Sequence, residues 1–269
     1  MSKDDRIFPI IKVISAIVIP FLVLAFIILY FFPGTSGDRF AWEIQPQIMA
    51  MFMGAGYIGG AWLFINVVFG RHWHRVAPGF FPVTSFTIAM LVATILHWDR
   101  FNPSHFPFQL WFGLYIVTPF LVTWMWWYNH KTDPGTPEPN ELFVPSMPRI
   151  VLRVLGVILL LYAIAGFLSP TWLIQTWVWE LKPLTARVLS GWFSLLGVGG
   201  LVISRETRWS SWRVGIESIG IWHFLVVIAA FTRQTDFPGG VWNWYVISVI
   251  LMFDWDGVLY IQMQLRQVG

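Results

Sequence analysis

Cysteine is absent from the chain, which excludes disulfides, thiolate metal sites and cysteine nucleophiles. Charge is scarce too: Asp, Glu, Lys and Arg make up 12% of the 269 residues, against 57% hydrophobic ones. A soluble domain carries about a quarter charged residues, so much of this surface is not built for water. The basic residues form no stripe, so the net charge of +3 and pI near 9.3 leave no nucleic-acid footprint. Nucleophile elbows, P-loops and His-Glu-x-x-His are missing as well. An enzyme is therefore not the leading reading, and no metal site of recognised ligand spacing is present.

What the chain does have is apolar sequence in long blocks, with a mean hydropathy of +0.64. A membrane span needs roughly 20 apolar residues. Eight stretches qualify: 9–32, 46–69, 79–98, 107–128, 148–168, 183–203, 212–232 and 239–262. The first exceeds a signal peptide's apolar region and lacks a cleavage site, so it reads as a retained span. Pro33 and Pro170 end helices, whereas Pro46 and Pro183 suit a first turn, where a missing N–H costs nothing. Of the 17 Lys and Arg residues, only Arg39, Arg100, Lys182, Arg187 and Arg233 fall on the side opposite the N-terminus. Positive charge stays inside. The expectation is an all-α, multi-pass protein of the cytoplasmic (inner) membrane with both termini inside.

The segment FAWEIQPQIMAMFMG, residues 40–54, is echoed by WVWELKPLTARVLSG, residues 177–191. Trp42, Glu43, Pro46 and Gly54 fall on Trp179, Glu180, Pro183 and Gly191, an offset of 137. Pro33 and Lys12 meet Pro170 and Arg149 at that same offset. The proline-rich stretch 129–147 separates four spans from four. The pattern predicts a tandem duplication of a four-helix unit, 1–128 and 148–269, joined by a cytoplasmic linker. An even helix count makes the copies parallel.

Trp-Glu-x-x-Pro at a helix start has a structural explanation: Trp sits at the membrane interface, Glu faces the positive helix end, and Pro opens the helix. The functional alternative makes Glu43 and Glu180 a symmetric pair around a central outer cavity. Gly54, Gly56 and Gly60, echoed by Gly191, Gly197 and Gly200, let helices approach closely in lipid. The same run fits Gly-x-Gly-x-x-Gly, but it lies inside an apolar helix with no preceding strand, so it is no nucleotide fingerprint.

Ionisable groups inside spans are costly and are functional candidates by default. Glu217 and His223 lie in the seventh span, Asp254 and Asp256 in the eighth. His223 suits a hydrogen bond to a neighbouring helix or ligation of a macrocycle. Residues two apart on a helix diverge by about 200°, so Asp254 and Asp256 form no dyad; one is expected to pair with Arg213. In the loop HWDRFNPSH, His97, Asp99 and Arg100 are outer candidates: a hydrogen bond of Asp99 or Arg100 suits a loop clamp, and His97, Asp99 and His105 could hold a metal. The inner pair His72 and His74 has no better claim. Interface anchoring explains most of the eighteen tryptophans, and any excess beyond it suits a flat or long apolar ligand.

The leading functional reading is a non-catalytic subunit of a larger membrane assembly, or a binder of lipid, quinone or pigment. The alternative is a small transporter or channel that uses the buried carboxylates. Expected partners are membrane lipid and other transmembrane subunits, with no nucleic acid.

Overall fold

The computed structural model describes residues 3–268, and every regular element among them is helical. In chain order they are α1 (Pro9–Phe26, continued by a π-turn Ile27–Phe31), α2 (Ser36–Arg39), α3 (Gln47–Phe69), α4 (Phe80–Leu96), α5 (Phe106–His130), α6 (Ser146–Leu168), α7 (Pro170–Thr176), α8 (Pro183–Ile203), α9 (Trp209–Thr232) and α10 (Val241–Val268). Eight of these, all but α2 and α7, are long and apolar enough to cross a membrane. Their exposed faces, rich in Ile, Leu, Val and Phe, suit contact with lipid.

Two short elements depart from the expected loops. Pro33 opens a 3₁₀ turn ahead of α2, and Pro170 stands at the first position of α7, so each proline restarts a helix after the break. The last span also continues to Val268, past the expected limit of 262.

α3 and α8 are the most buried spans. α3 packs on α1 and α9, and α8 packs on α6 and α4. α5 leans on α4, and α10 leans on α9. Between them an aromatic core fills the centre: Trp192 meets Phe86, Tyr57 and Trp222, and Phe52 touches Trp179 and Trp222. Centroid separations of 4.2–6.2 Å in these contacts match favourable tilted and edge-on ring geometry.

The glycines explain which helices come closest. A Cβ on Gly197 would stand 2.7 Å from the Leu160 nitrogen, and one on Gly200 2.8 Å from the Leu152 oxygen. Gly156 faces both of these glycines from α6. Gly56 and Gly191 leave room for Trp192 and Met90, and Gly54 for the backbone of Tyr30. At Gly60 a Cβ would make only ordinary contact with Leu22; the close approach of α3 to α9 is made by Gly59, where a Cβ would stand 2.7 Å from the Ser218 oxygen. The expected Gly56–Gly60 pair is therefore corrected: helical phase turns Gly59, not Gly60, to the neighbour.

Corresponding contacts recur along the chain. Trp42 packs edge-on to Phe101 at 5.7 Å, as Trp179 does to Phe237 at 5.7 Å. Isolated backbone bridges join Arg6 to His72 and Phe143 to Arg208, and the following tryptophans, Trp73 and Trp209, are fully buried. Lys12 Nζ donates to the Gly70 carbonyl at 2.6 Å, and Arg149 Nε to the Ser204 carbonyl at 3.3 Å. Each places a cation at a helix C-terminus, where the dipole favours it.

Candidate functional site

The residues that could carry chemistry gather at one end of the bundle and along the seam between α9 and α10. That end holds the N-terminal arm, the turn after α3, the linker after α5 and the start of α9. Asp5 has a left-handed backbone, φ 57°, and is fixed by its N–H to the Thr132 carbonyl at 2.9 Å and by the Trp73 N–H to its own carbonyl at 2.7 Å. His72, extended, and His74, inside a short 3₁₀ turn, flank Trp73; both imidazoles reach Asp5 while the indole goes into the core. His74 Nδ1 donates to Asp5 Oδ2 at 2.5 Å, and His72 Nδ1 lies 3.1 Å from that oxygen.

The far side of the His74 ring is also occupied. Nε2 lies 2.9 Å from Ser210 Oγ and 3.1 Å from Glu138 Oε1. Arg75 grips Glu138 through two donors at 2.7 and 2.5 Å. Burial alone would raise the Asp5 carboxyl, but the His74 bonds and the two imidazole charges hold it below its usual value. The Arg75 bond likewise lowers Glu138. Asp–His–Ser connectivity resembles a nucleophilic relay, yet Ser210 Oγ donates its proton to Glu141 Oε2 at 2.6 Å. An activated serine would donate to the histidine, so the geometry is that of a clamp.

Asp5, His74 and Glu138 each offer an atom within 4.8 Å of the others. The imidazole stands between the two carboxylates, however, one on each nitrogen, so no single nitrogen faces both. The cluster is hidden in the sequence because its members lie at least 63 positions apart, except for His72, His74 and Arg75. The local signal is the close spacing of His72 and His74, whose chain turns into a 3₁₀ helix at Trp73.

Beside the clamp opens a cleft of about 320 Å³, lined among others by Arg71, Arg75, Glu138, Ser210, Arg213 and Glu217. At its inner wall Glu217 takes three bonds: from Trp62 Nε1 at 2.9 Å, Arg213 Nε at 2.9 Å and Tyr260 OH at 3.0 Å. Farther along the seam, His223 Nδ1 donates to Asp256 Oδ2 at 2.7 Å. Arg213 thus pairs with Glu217, not with Asp254 or Asp256 as expected. The antiparallel run of α9 and α10 matches Tyr260 to Glu217 in depth, which puts Asp256 a turn deeper. Asp254, two positions on, points away from the seam and is exposed.

The outer candidates do not converge. Glu43 and Glu180 are exposed, and Glu43 accepts only the Gln45 amide at 3.3 Å. The tryptophans beside them turn inward instead, so aromatic rings fill the place of the expected cavity. The carboxylate that serves the α3 N-terminus is Asp236, whose Oδ2 accepts the Ile48 N–H at 2.8 Å. His97 Nε2 accepts from Arg187 Nη1 at 2.6 Å, and His105 Nε2 bonds the Asp38 carbonyl at 3.0 Å. Asp99 and Arg100 pair with each other on the surface at 3.1 Å. Comparison of the chain with protein-family models, curated proteins and solved structures gave no match.

Proposed function

We propose that this chain is a non-catalytic subunit of a larger membrane assembly, set in the cytoplasmic membrane with both termini inside. The observation that carries the reading is α10. This helix leans chiefly on α9, and it presents the carboxylate of Asp254 on its exposed side. A charged side chain at the middle of a bilayer costs about 3 kcal/mol or more. A cost of that size is not carried for the fold alone when the side chain has no hydrogen-bond or ion-pair partner among the described residues. The aromatic filling of the core supports assembly over enclosure of a pigment or quinone.

The parallel duplication belongs to the same proposal. Exchanging the two four-helix units maps each neighbour pair onto another: α1–α3 onto α6–α8, α3–α9 onto α8–α4, and α4–α5 onto α9–α10. In this reading the α4–α5 seam shows what the fold requires, and it is built from Thr84, Thr123 and apolar side chains. The ionisable groups of α9–α10 are an addition to that plan.

The test is purification from the native membrane in a mild detergent, followed by native mass measurement and extraction of small molecules. A stoichiometric second membrane protein is the expected result. A lone chain carrying a stoichiometric quinone or pigment would replace assembly with ligand binding.

One observation favours a second reading, transport. The cleft, Glu217 and the His223–Asp256 pair form a line from one end toward mid-depth. Under that reading Asp256→Asn abolishes cation- or proton-coupled flux in vesicles while the protein stays folded; unchanged flux removes it.

A further inference from the structure

α10 has two faces of different character. Val246, Val249, Asp256, Leu259 and Met263 are buried. On the opposite side Ile247, Leu251, Asp254, Val258, Ile261 and Leu265 are exposed, the five apolar ones by 50–68%. Their spacing is 4, 3, 4, 3, 4. That is the 3.5-residue repeat of a helix that packs lengthwise against another helix. Any one-sided helix face has these steps, so it is the side chain at Asp254, not the spacing, that marks the stripe. Within the stripe a single polar side chain, Asp254, holds a core position, where polar residues specify register and partner.

The depth of Asp254 makes lipid an unsuitable neighbour. It stands ten residues after Trp244, which is 75% exposed at the outer end of the helix, and eleven before Leu265. At 1.5 Å per residue that is about 15 Å from Trp244 and about 16 Å from Leu265. A lysine can extend its long stem to the interface; an aspartate carboxylate, one methylene from the backbone, cannot.

We propose that this stripe seats a spanning helix of another membrane protein, with a lysine or arginine of that helix opposite Asp254. Charge complementarity chooses this occupant over a second copy of the chain. Copies inserted with one orientation bring their α10 helices together in parallel, and two-fold pairing then sets Asp254 against Asp254. Like charges in a medium of low dielectric repel strongly. A basic side chain at the same depth removes the unpaired charge from both helices. The counterpart face of α5 carries Ile116, Val117, Phe120 and Trp127, all exposed and none ionisable, so this specificity is confined to α10.

The inference rests on the subunit reading, and one experiment separates the two. A photo-crosslinking amino acid is placed singly at Leu251, at Val258 and, as a control, at Ile158 on the exposed side of α6, in the full chain in its native membrane. The expected result is one protein adduct from 251 and 258, whose cross-linked peptide is a spanning segment containing Lys or Arg. Asp254→Ala and Asp254→Lys each reduce that adduct at least tenfold. Replacing the partner's basic residue by Asp restores it with Asp254→Lys. Melting curves of the purified variants are unchanged, because Asp254 has no bonding partner among the described residues. Adducts to a second copy, or to a segment without a basic residue, overturn the inference. Protein adducts from Ile158 but only lipid adducts from α10 overturn it while leaving the subunit reading intact; lipid adducts everywhere overturn both.

Discussion

Single side chains divide into those that hold the fold and those that hold segments together at its end. Asp236 belongs to the first kind: it caps α3 from the far side of the molecule. Asp236→Ala should cost about 1 kcal/mol, the usual value of a lost N-terminal cap, and lower the melting temperature in detergent. Glu43→Ala should leave it unchanged, although the sequence makes Glu43 the obvious cap. Equal effects of the two substitutions would refute the assignment. Asp5 belongs to the second kind, with His72, His74 and Glu138 around it. Its carboxyl lies lower in the folded chain than its ordinary value of 3.8. The stabilisation is therefore complete above that value and is lost as pH falls through the folded one. A fluorescent label on Lys3→Cys, convenient in a chain without cysteine, should report a fixed arm from pH 8 to about 5. Release is expected only once pH falls below ordinary carboxylate values, about 4, because the folded carboxyl lies lower still. With Asp5→Asn the arm should be loose throughout; a label that reads the same in both proteins would contradict the clamp.

At the scale of elements, the spans follow from composition and their contacts follow from small residues. Gly197→Ala sets a Cβ against the backbone of α6, and the helices must part. The expected loss is about 2 kcal/mol, the range of overpacking. Gly60→Ala meets only a side-chain methyl at 3.8 Å and removes a helix-weakening residue, so it should be neutral or stabilising by up to about 1 kcal/mol. Melting of the two variants side by side distinguishes these outcomes, and the opposite order would overturn the packing scheme. Glycine content was legible in the chain, but the choice between Gly59 and Gly60 was not. A helix in lipid has no polar face to show which way it turns, so phase was decided by the neighbours.

For the molecule as a whole, two arrangements can be tested apart. The arm, the linker and the C-terminal turn of α10 share one end, since Gln267 lines the cleft together with Arg71 and Glu138. A cysteine at Pro137 and one at Pro103 should then differ in labelling by an impermeant maleimide. With the expected orientation only the second reacts in intact cells, and the reverse result would turn the protein over. The halves meet through α3–α9 and α4–α8, without need of a covalent link. Residues 1–135 and 136–269, co-expressed, should co-purify; two fragments that never associate would show that the linker is required.

The sequence by itself determined eight apolar spans to within a few residues, their short connections and the repeated Trp-Glu-x-x-Pro segments. These are properties of local chain: length, apolar content and proline all act where they stand. Tertiary structure decided everything that depends on distance between remote positions. His74 meets Asp5 and Glu138, Asp236 meets Ile48, and His223 meets Asp256 only because segments far apart in the chain lie side by side. Trp42 and Trp179, which composition alone sends to the membrane interface, entered the core for the same reason. A ring buried against other rings gains more than one resting among headgroups, and only the packed chain brings those rings together.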